Sequence, residues 1–115
     1  MGLDEKKTQH AGLAFDVNSS LISVEVTGGP EQALQLATRC FQYLVRVYDS
    51  VLLLKNICTL LLPSTPFSGA QALAGQVSLL LTDVPCALQV YHGATALMII
   101  QSLQEAGART LSFKE

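Results

Sequence analysis

Cys86 is the strongest candidate for a reactive side chain, because it follows Pro85 where the sequence predicts the start of a helix. The dipole at a helix N-terminus lowers the pKa of a thiol and makes it a better nucleophile. His92 is the only histidine beyond the first ten residues, and it lies on a different side of that helix. A catalytic pair would need His92 to meet Cys40 or Cys58 from the predicted central helix. Free cysteines are more often small buried apolar groups, and we favour that role, with Cys40 and Cys58 reduced and buried.

The Gly28-Gly29-Pro30 turn is a second candidate, because it joins a predicted strand to a predicted helix. Backbone N–H groups and the helix dipole converge at such a turn and can bind an anion. The turn lacks the glycine spacing of a dinucleotide or nucleoside-triphosphate loop, and Glu31 would repel a phosphate. Gly and Pro are the ordinary residues of strand-to-helix turns. We therefore expect a simple turn, with Gly28 and Gly29 kept as ligand-binding candidates.

Arg46, Asp49 and Ser50 form a polar group on a predicted helix that is otherwise largely apolar. One interpretation is a polar ligand pocket with Arg46 as its cation. The other, which we favour, is a set of i,i+3 and i,i+4 pairs that stabilises the helix. The sequence contains no paired carboxylates, metal-ligand spacing or Ser/His/Asp set that rises above chance. We expect no catalytic residue, no metal site and no cofactor.

Two periodicities predict the elements that hold these residues. Residues 13–17 and 22–26 alternate between apolar and polar side chains, and Asn18-Ser19-Ser20 between them is typical of a turn, so the sequence predicts a hairpin. A long central helix is predicted over residues 30–62. Its side chains are apolar on nearly all sides, which is typical of a buried helix.

The remaining elements are predicted to be two helices and a strand. Residues 69–82 predict a second helix, and a third begins near Asp83, includes Leu88 and Tyr91, and ends at Gly107. Residues 110–113 alternate again and are expected to pair beside Ile22, Val24 and Val26. The predicted fold class is α+β in the order β-β-α-α-α-β. A small antiparallel sheet, formed by the N-terminal hairpin and the C-terminal strand, is covered on one face by two or three helices. We expect a flexible lead-in over residues 1–10 and one domain over residues 11–115.

Low charge is the main compositional anomaly. Only 14% of the residues are charged and the net charge is −2, against about a quarter charged in an ordinary domain. No basic face is visible that could neutralise phosphates, so we exclude nucleic acid as a partner. The apolar runs are interrupted by polar residues and prolines, so we expect no membrane span.

The second half of the chain is where the charge is lowest. Between Lys55 and Glu105 the only charged residue is Asp83. Loss of charge is typical of the centre of an oligomer interface; the alternative is a large core with a neutral exterior. We favour the interface. The side chains that we expect there lie on the second and third predicted helices and are Leu79, Leu80, Tyr91, Leu97 and Ile100.

The predicted function is therefore a non-catalytic interaction or assembly subunit that binds a protein partner or itself through an uncharged helical face. The alternative is a small enzyme or ligand-binding domain that uses Cys86, Arg46 or the Gly28-Gly29 turn. The polar N-terminus lacks the apolar segment of a signal peptide, and three cysteines suit a reducing compartment. We expect a cytoplasmic or nuclear protein.

Overall fold

Six strands and three helices make up the described part of the chain. The computed structural model describes residues 2–3, 15–44 and 50–114, with side chains described for residues 15–39 and 50–111. In chain order the elements are β1 (Gly2–Leu3), β2 (Ser20–Val26), α1 (Pro30–Leu44), β3 (Ser50–Leu54), β4 (Ile57–Leu62), α2 (Phe67–Leu80), β5 (Cys86–His92), α3 (Gly93–Glu105) and β6 (Arg109–Lys114).

All neighbouring strands run antiparallel, in the order β1-β6-β3-β4-β2-β5. Because β1 has only two residues, the other five strands form the body of the sheet. Strand β2 lies between β4 and β5, with Ile22 opposite Leu60 on one side and Val90 on the other. The predicted α+β class and antiparallel sheet are confirmed, and the strand order differs from the prediction.

Apolar side chains pack on both faces of the sheet. On one face α1 and α2 cover the main core, to which the sheet contributes Ile22, Val24, Val26, Val51, Leu53, Cys58, Leu60, Leu62 and Leu111. On the other face α3 covers a smaller cluster built on Leu21, Leu52 and Leu61. The prediction that helices cover one face only is wrong, because these strands are apolar at both alternations and neither face can be left to water.

The predicted central helix over residues 30–62 is wrong over residues 50–62, and residues 45–49 lie outside the described residues. Helix α1 ends at Leu44, and residues 50–62 form the β3–β4 hairpin, whose two-residue turn is Lys55 and Asn56. Lys55 has a φ of 53°, a conformation typical of such turns. Asn56 ties the hairpin to β2, because its Nδ2 donates to the Val26 carbonyl at 2.6 Å. Strands buried on both faces are continuously apolar, and periodicity does not distinguish them from a buried helix.

The predicted third helix combines a strand and a shorter helix. Leu88 and Tyr91 lie in β5, and α3 begins only at Gly93. Gly93 has a φ of 69°, a left-handed conformation that glycine adopts at low cost and that turns the chain from the strand into the helix. The second predicted helix, over residues 69–82, agrees closely with α2.

The ends of the chain also pair differently from the prediction. A C-terminal strand exists, but β6 pairs with β3, where Leu111 faces Val51, because both sides of β2 are already occupied by β4 and β5. The predicted N-terminal hairpin is absent from Phe15 onward, and residues 13 and 14 lie outside the described residues. Within the predicted lead-in, Gly2 and Leu3 pair with β6, and residues 4–10 lie outside the described residues.

Candidate interaction surface

Strand β5 is one edge of the sheet that the described strands form, and it pairs with β2 along its whole length. The Gly93 N–H donates to the Ser19 carbonyl at 3.0 Å, just beyond the end of the ladder. Because antiparallel strands exchange hydrogen bonds at alternate pairs, every second residue of β5, beginning with Tyr91, directs its backbone groups to β2. The backbone groups of Leu88 and Val90 therefore point outward, where no strand in the described part of the chain meets them.

Almost no charge surrounds this edge. Helix α2 contacts β5 from one face of the sheet and α3 contacts it from the other. Asp83 is the only charged residue between Lys55 and Glu105, and its Oδ1 lies 3.2 Å from Arg39 Nη1. We use "neutral edge" for β5 together with the exposed side chains of α2 and α3 that carry no charge: Phe67, Ser68, Gln71, Ala72, Gly75, Gln76, Ser78, Leu79, Ala94, Thr95, Met98, Gln101, Ser102 and Gln104.

The five side chains predicted for an interface lie in three elements. Leu79 on α2 is 74% exposed, and its neighbour Leu80 is half-buried against the main core. Tyr91 on β5 and Leu97 on α3 are half-buried, and Ile100 belongs to the core beneath α3. The structure therefore brings Tyr91, Leu97 and Ile100 together, and it places Leu79 and Leu80 on the other face of the sheet, with β5 between the two groups.

His92 contacts a serine rather than a cysteine. Its Nδ1 lies 2.7 Å from Ser20 Oγ, and that hydroxyl donates to the Thr65 carbonyl at 2.6 Å. Since the single hydroxyl proton of Ser20 is used on Thr65, the His92 ring nitrogen is the donor to Ser20 Oγ. A serine activated for attack would instead donate its proton to the histidine. This group ties the start of β2 to the end of β5 and to the loop after β4.

Ser19, next along the chain, has a comparable role. Its Oγ accepts the N–H groups of Asp16 and Ser64, at 3.0 and 2.9 Å. The same hydroxyl lies 3.2 Å from Asp16 Oδ1 and donates to it. Both serines are fully buried. The sequence predicts a turn at these serines and gives no signal of their role as anchors for two loops.

The structure describes only some of the residues proposed for catalysis or ligand binding. Cys86 is exposed at the start of a strand, so the predicted helix N-terminus that would activate its thiol is wrong. Cys58 is buried in β4 as expected, and the side chain of Cys40 lies outside the described residues. Arg46 also lies outside them. Ser50, its predicted neighbour on a helix, is buried in β3.

The Gly28-Gly29 turn does form between β2 and α1, and Gly29 has a φ of 95°. The Gly28 N–H donates to Gln32 Oε1 at 2.8 Å, so this amide is not available to an anion. A shallow cavity of about 400 Å³ lies beside the turn and is lined by Pro30, Glu31, Leu34, Leu53, Leu54, Lys55, Gly107 and Arg109. The exposed cations Lys55 and Arg109 and the carboxylate of Glu31 on this shallow wall do not indicate a particular class of ligand.

A groove of about 410 Å³ lies along the side of α3 that faces β3. It is lined by Leu54, Thr95, Met98, Ile99, Ser102 and Leu103. The lining is mainly apolar and carries no charge, and the hydroxyls of Thr95 and Ser102 have no general base among the lining residues to activate them, so the groove adds neutral surface to α3.

Two observations concern the described residues as a whole, and a third concerns similarity to known proteins. Among them, no group of three His, Cys, Asp or Glu side chains lies close enough to hold a metal ion. No helix in the described ranges is long and apolar enough to cross a bilayer. Comparison with known protein families, characterised proteins and solved structures returns no match.

Proposed function

We propose that this protein is a non-catalytic assembly subunit that binds a protein, either a partner or another copy of itself, through the neutral edge. One observation carries the proposal: the outward backbone groups of Leu88 and Val90 meet no described strand, and neutral helices flank them on both faces. Nothing in this function requires a cofactor, a metal or nucleic acid.

An unpaired edge is a template for another strand, and most proteins protect such edges. Charged side chains, prolines or bulges within the strand are the common means. Between Cys86 and His92, β5 has no charge and no proline, and its seven residues pair with β2 without interruption. Strand addition would satisfy the outward groups of Leu88 and Val90. The composition of β5 therefore favours pairing.

The flanking helices support the same function. Charge depletion marks the core of an interface, whereas a solvated helix usually carries charges at intervals of three or four residues. In α2 the exposed positions are Gln, Ser, Ala, Gly, Phe and Leu, and in α3 they are neutral up to Glu105. Leu79 and Met98 are 74% and 68% exposed. A partner that extends the sheet at β5 would lie against both helices.

The compartment that we propose is the cytoplasm or nucleus. Cys86 is an exposed thiol on the neutral edge itself. Thiols in these compartments stay reduced, whereas secreted proteins form disulfides. A reducing compartment would keep the neutral edge available for non-covalent pairing.

The test is the native mass of the tagged 115-residue chain in extracts of its own cells. We expect the wild-type chain to elute well above the mass of one 12.3 kDa chain plus its tag. Gln89→Lys places a charge at the centre of β5 and is expected to shift most of the chain to the monomer position, because burying an unpaired charge in an interface is costly.

Gln35→Lys is the matched control, because Gln35 is an exposed residue of α1, which packs on β3 and β4 rather than β5. It is expected to leave the native mass unchanged. Elution of the wild-type chain as a monomer, or equal behaviour of the two variants, would contradict the proposed function.

A further inference from the structure

We infer that the occupant of the neutral edge is a second copy of this chain, whose β5 pairs antiparallel with β5 across a two-fold axis at Gln89. This inference rests on the proposed function and names its partner. It predicts a continuous sheet through two chains, with α2 beside its copy on one face and α3 beside its copy on the other.

The position of the axis follows from the length of β5. The strand has seven residues, from Cys86 to His92, and Gln89 is its midpoint. Closed dimers are isologous, so residues pair symmetrically about the axis. An axis at Gln89 pairs the whole strand with its copy, whereas an axis at any other residue leaves part of β5 unpaired. In this register the outward groups of Leu88 on one chain meet those of Val90 on the other.

The side chains of β5 are self-complementary in that register. On the face covered by α3, Gln89 meets its own copy, amide to amide, and Ala87 lies opposite Tyr91, a small residue opposite a large one. On the other face Leu88 lies opposite Val90. Aromatic, β-branched and hydrogen-bonding cross-strand pairs of this kind stabilise antiparallel sheets.

Charge also favours a second copy. The carboxylate nearest β5 within the sheet is Glu25 of β2, which pairs with Ala87. With strands about 4.8 Å apart and residues about 3.4 Å apart, the two copies of Glu25 would be roughly 20 Å from each other. That separation exceeds the Debye length of about 8 Å at physiological ionic strength, so the dimer has no like-charge conflict at the edge.

The size of the molecule is sufficient for a stable dimer. Its Cα extents are 34 × 29 × 28 Å, so each side presents an area on the order of 800 Å². A standard stable interface buries about that area on each partner. The neutral edge, which includes one strand and exposed side chains of two helices, carries no formal charge that would have to be desolvated.

Disulfide trapping at Gln89 tests the register. In a Cys86→Ser background, the two copies of Gln89→Cys would form a non-hydrogen-bonded pair with Cα atoms about 4.5 Å apart. Disulfides form when Cα atoms are about 4.4–6.8 Å apart. We expect mild oxidation of the purified chain to convert most of it to a covalent dimer, read on a non-reducing gel.

Two variants in the same background serve as controls. The copies of Ala87→Cys would be offset by about 14 Å along the strand, and Gln35→Cys lies on α1. Both are expected to cross-link at least tenfold more slowly than Gln89→Cys. Equal cross-linking of Ala87→Cys and Gln89→Cys would overturn the two-fold register.

Sedimentation of the purified wild-type chain tests the second copy without mutation. We expect twice the 12.3 kDa chain mass at tens of micromolar, and a dissociation constant raised about tenfold or more by Gln89→Lys, because like charges would meet at the axis. A purified monomer that does not cross-link would overturn this inference. If Gln89→Lys still reduced the native mass in cells, the proposed function would stand with a different partner.

Discussion

Ser20 shows how much of this fold depends on single polar side chains placed inside it. Its hydroxyl bonds to the Thr65 carbonyl and to His92 Nδ1, and it is fully buried. A nucleophile and a base within hydrogen-bond distance would suggest catalysis, but the Ser20 hydroxyl donates to the Thr65 carbonyl at 2.6 Å, an arrangement that favours a structural role. The histidine therefore fixes the end of β5, where the neutral edge meets α3.

Ser20→Ala should destabilise the protein. The substitution leaves the Thr65 carbonyl and His92 Nδ1 without their partner, and an unsatisfied buried polar group costs about 1–3 kcal/mol. Urea unfolding followed by circular dichroism measures the loss. Ser102→Ala, at an exposed position on α3, is the control and should change the free energy of unfolding by less than about 0.5 kcal/mol. Equal stability of the two variants would show that the Ser20–His92 contact does not hold the strands.

At the scale of elements, β6 closes the side of the sheet opposite to β5. It pairs with β3, and Leu111 is 1% exposed within the main core. Removing residues 109–115 would take this side chain from the core and leave β3 with an unpaired side. The terminal segment is therefore a structural strand rather than a tail.

We expect deletion of residues 109–115 to unfold or aggregate the chain, and Leu111→Ala to lower the free energy of unfolding by about 2–5 kcal/mol. Thermal unfolding measures both. Leu79→Ala, at a position that is 74% exposed, is the control that should leave the melting temperature of the monomer almost unchanged. A truncated chain with the melting temperature of the wild type would refute the role of β6.

The elements that sequence reasoning found are those with a one-sided pattern. The strand at Ile22, Val24 and Val26 alternates, and α2 lies between clear breaking residues, so both were predicted. The sequence predicts helix at the β3–β4 hairpin and at β5. Strands that pack on both faces, or that carry neutral exposed side chains, lose the alternation of apolar and polar residues that identifies a strand. The turn at Lys55-Asn56 separates β3 from β4, and Gly93 separates β5 from α3.

For the candidate interaction surface, the sequence predicts the uncharged composition but not the geometry. The loss of charge after Lys55 is visible in the sequence, and the structure distributes the neutral residues over α2, β5 and α3. The edge position of β5 depends on which strands pair with β2. Pairing of β2 with both β4 and β5 is a tertiary property that local patterns do not encode.

At the scale of the whole molecule, the distribution of charge and the topology of the sheet both favour the β5 side as the surface for association. One edge of the sheet ends in β1 and β6, near the cations Lys55 and Arg109. The other ends in β5, between two neutral helices. Association through β5 would extend the sheet without leaving Asp83 unpaired, since its carboxylate already pairs with Arg39.

Hydrogen exchange at β5 tests this account most directly. The amides of Leu88 and Val90 point away from β2, and that of Gln89 bonds to it. In the purified chain we expect protection of Leu88 and Val90 to rise at least tenfold between about 1 and 100 μM protein, as the edge becomes paired, while Gln89 stays protected throughout. Exchange of Leu88 and Val90 at the rate of an unstructured peptide at every concentration, or protection that does not depend on concentration, would contradict pairing of this edge with a second copy of the chain.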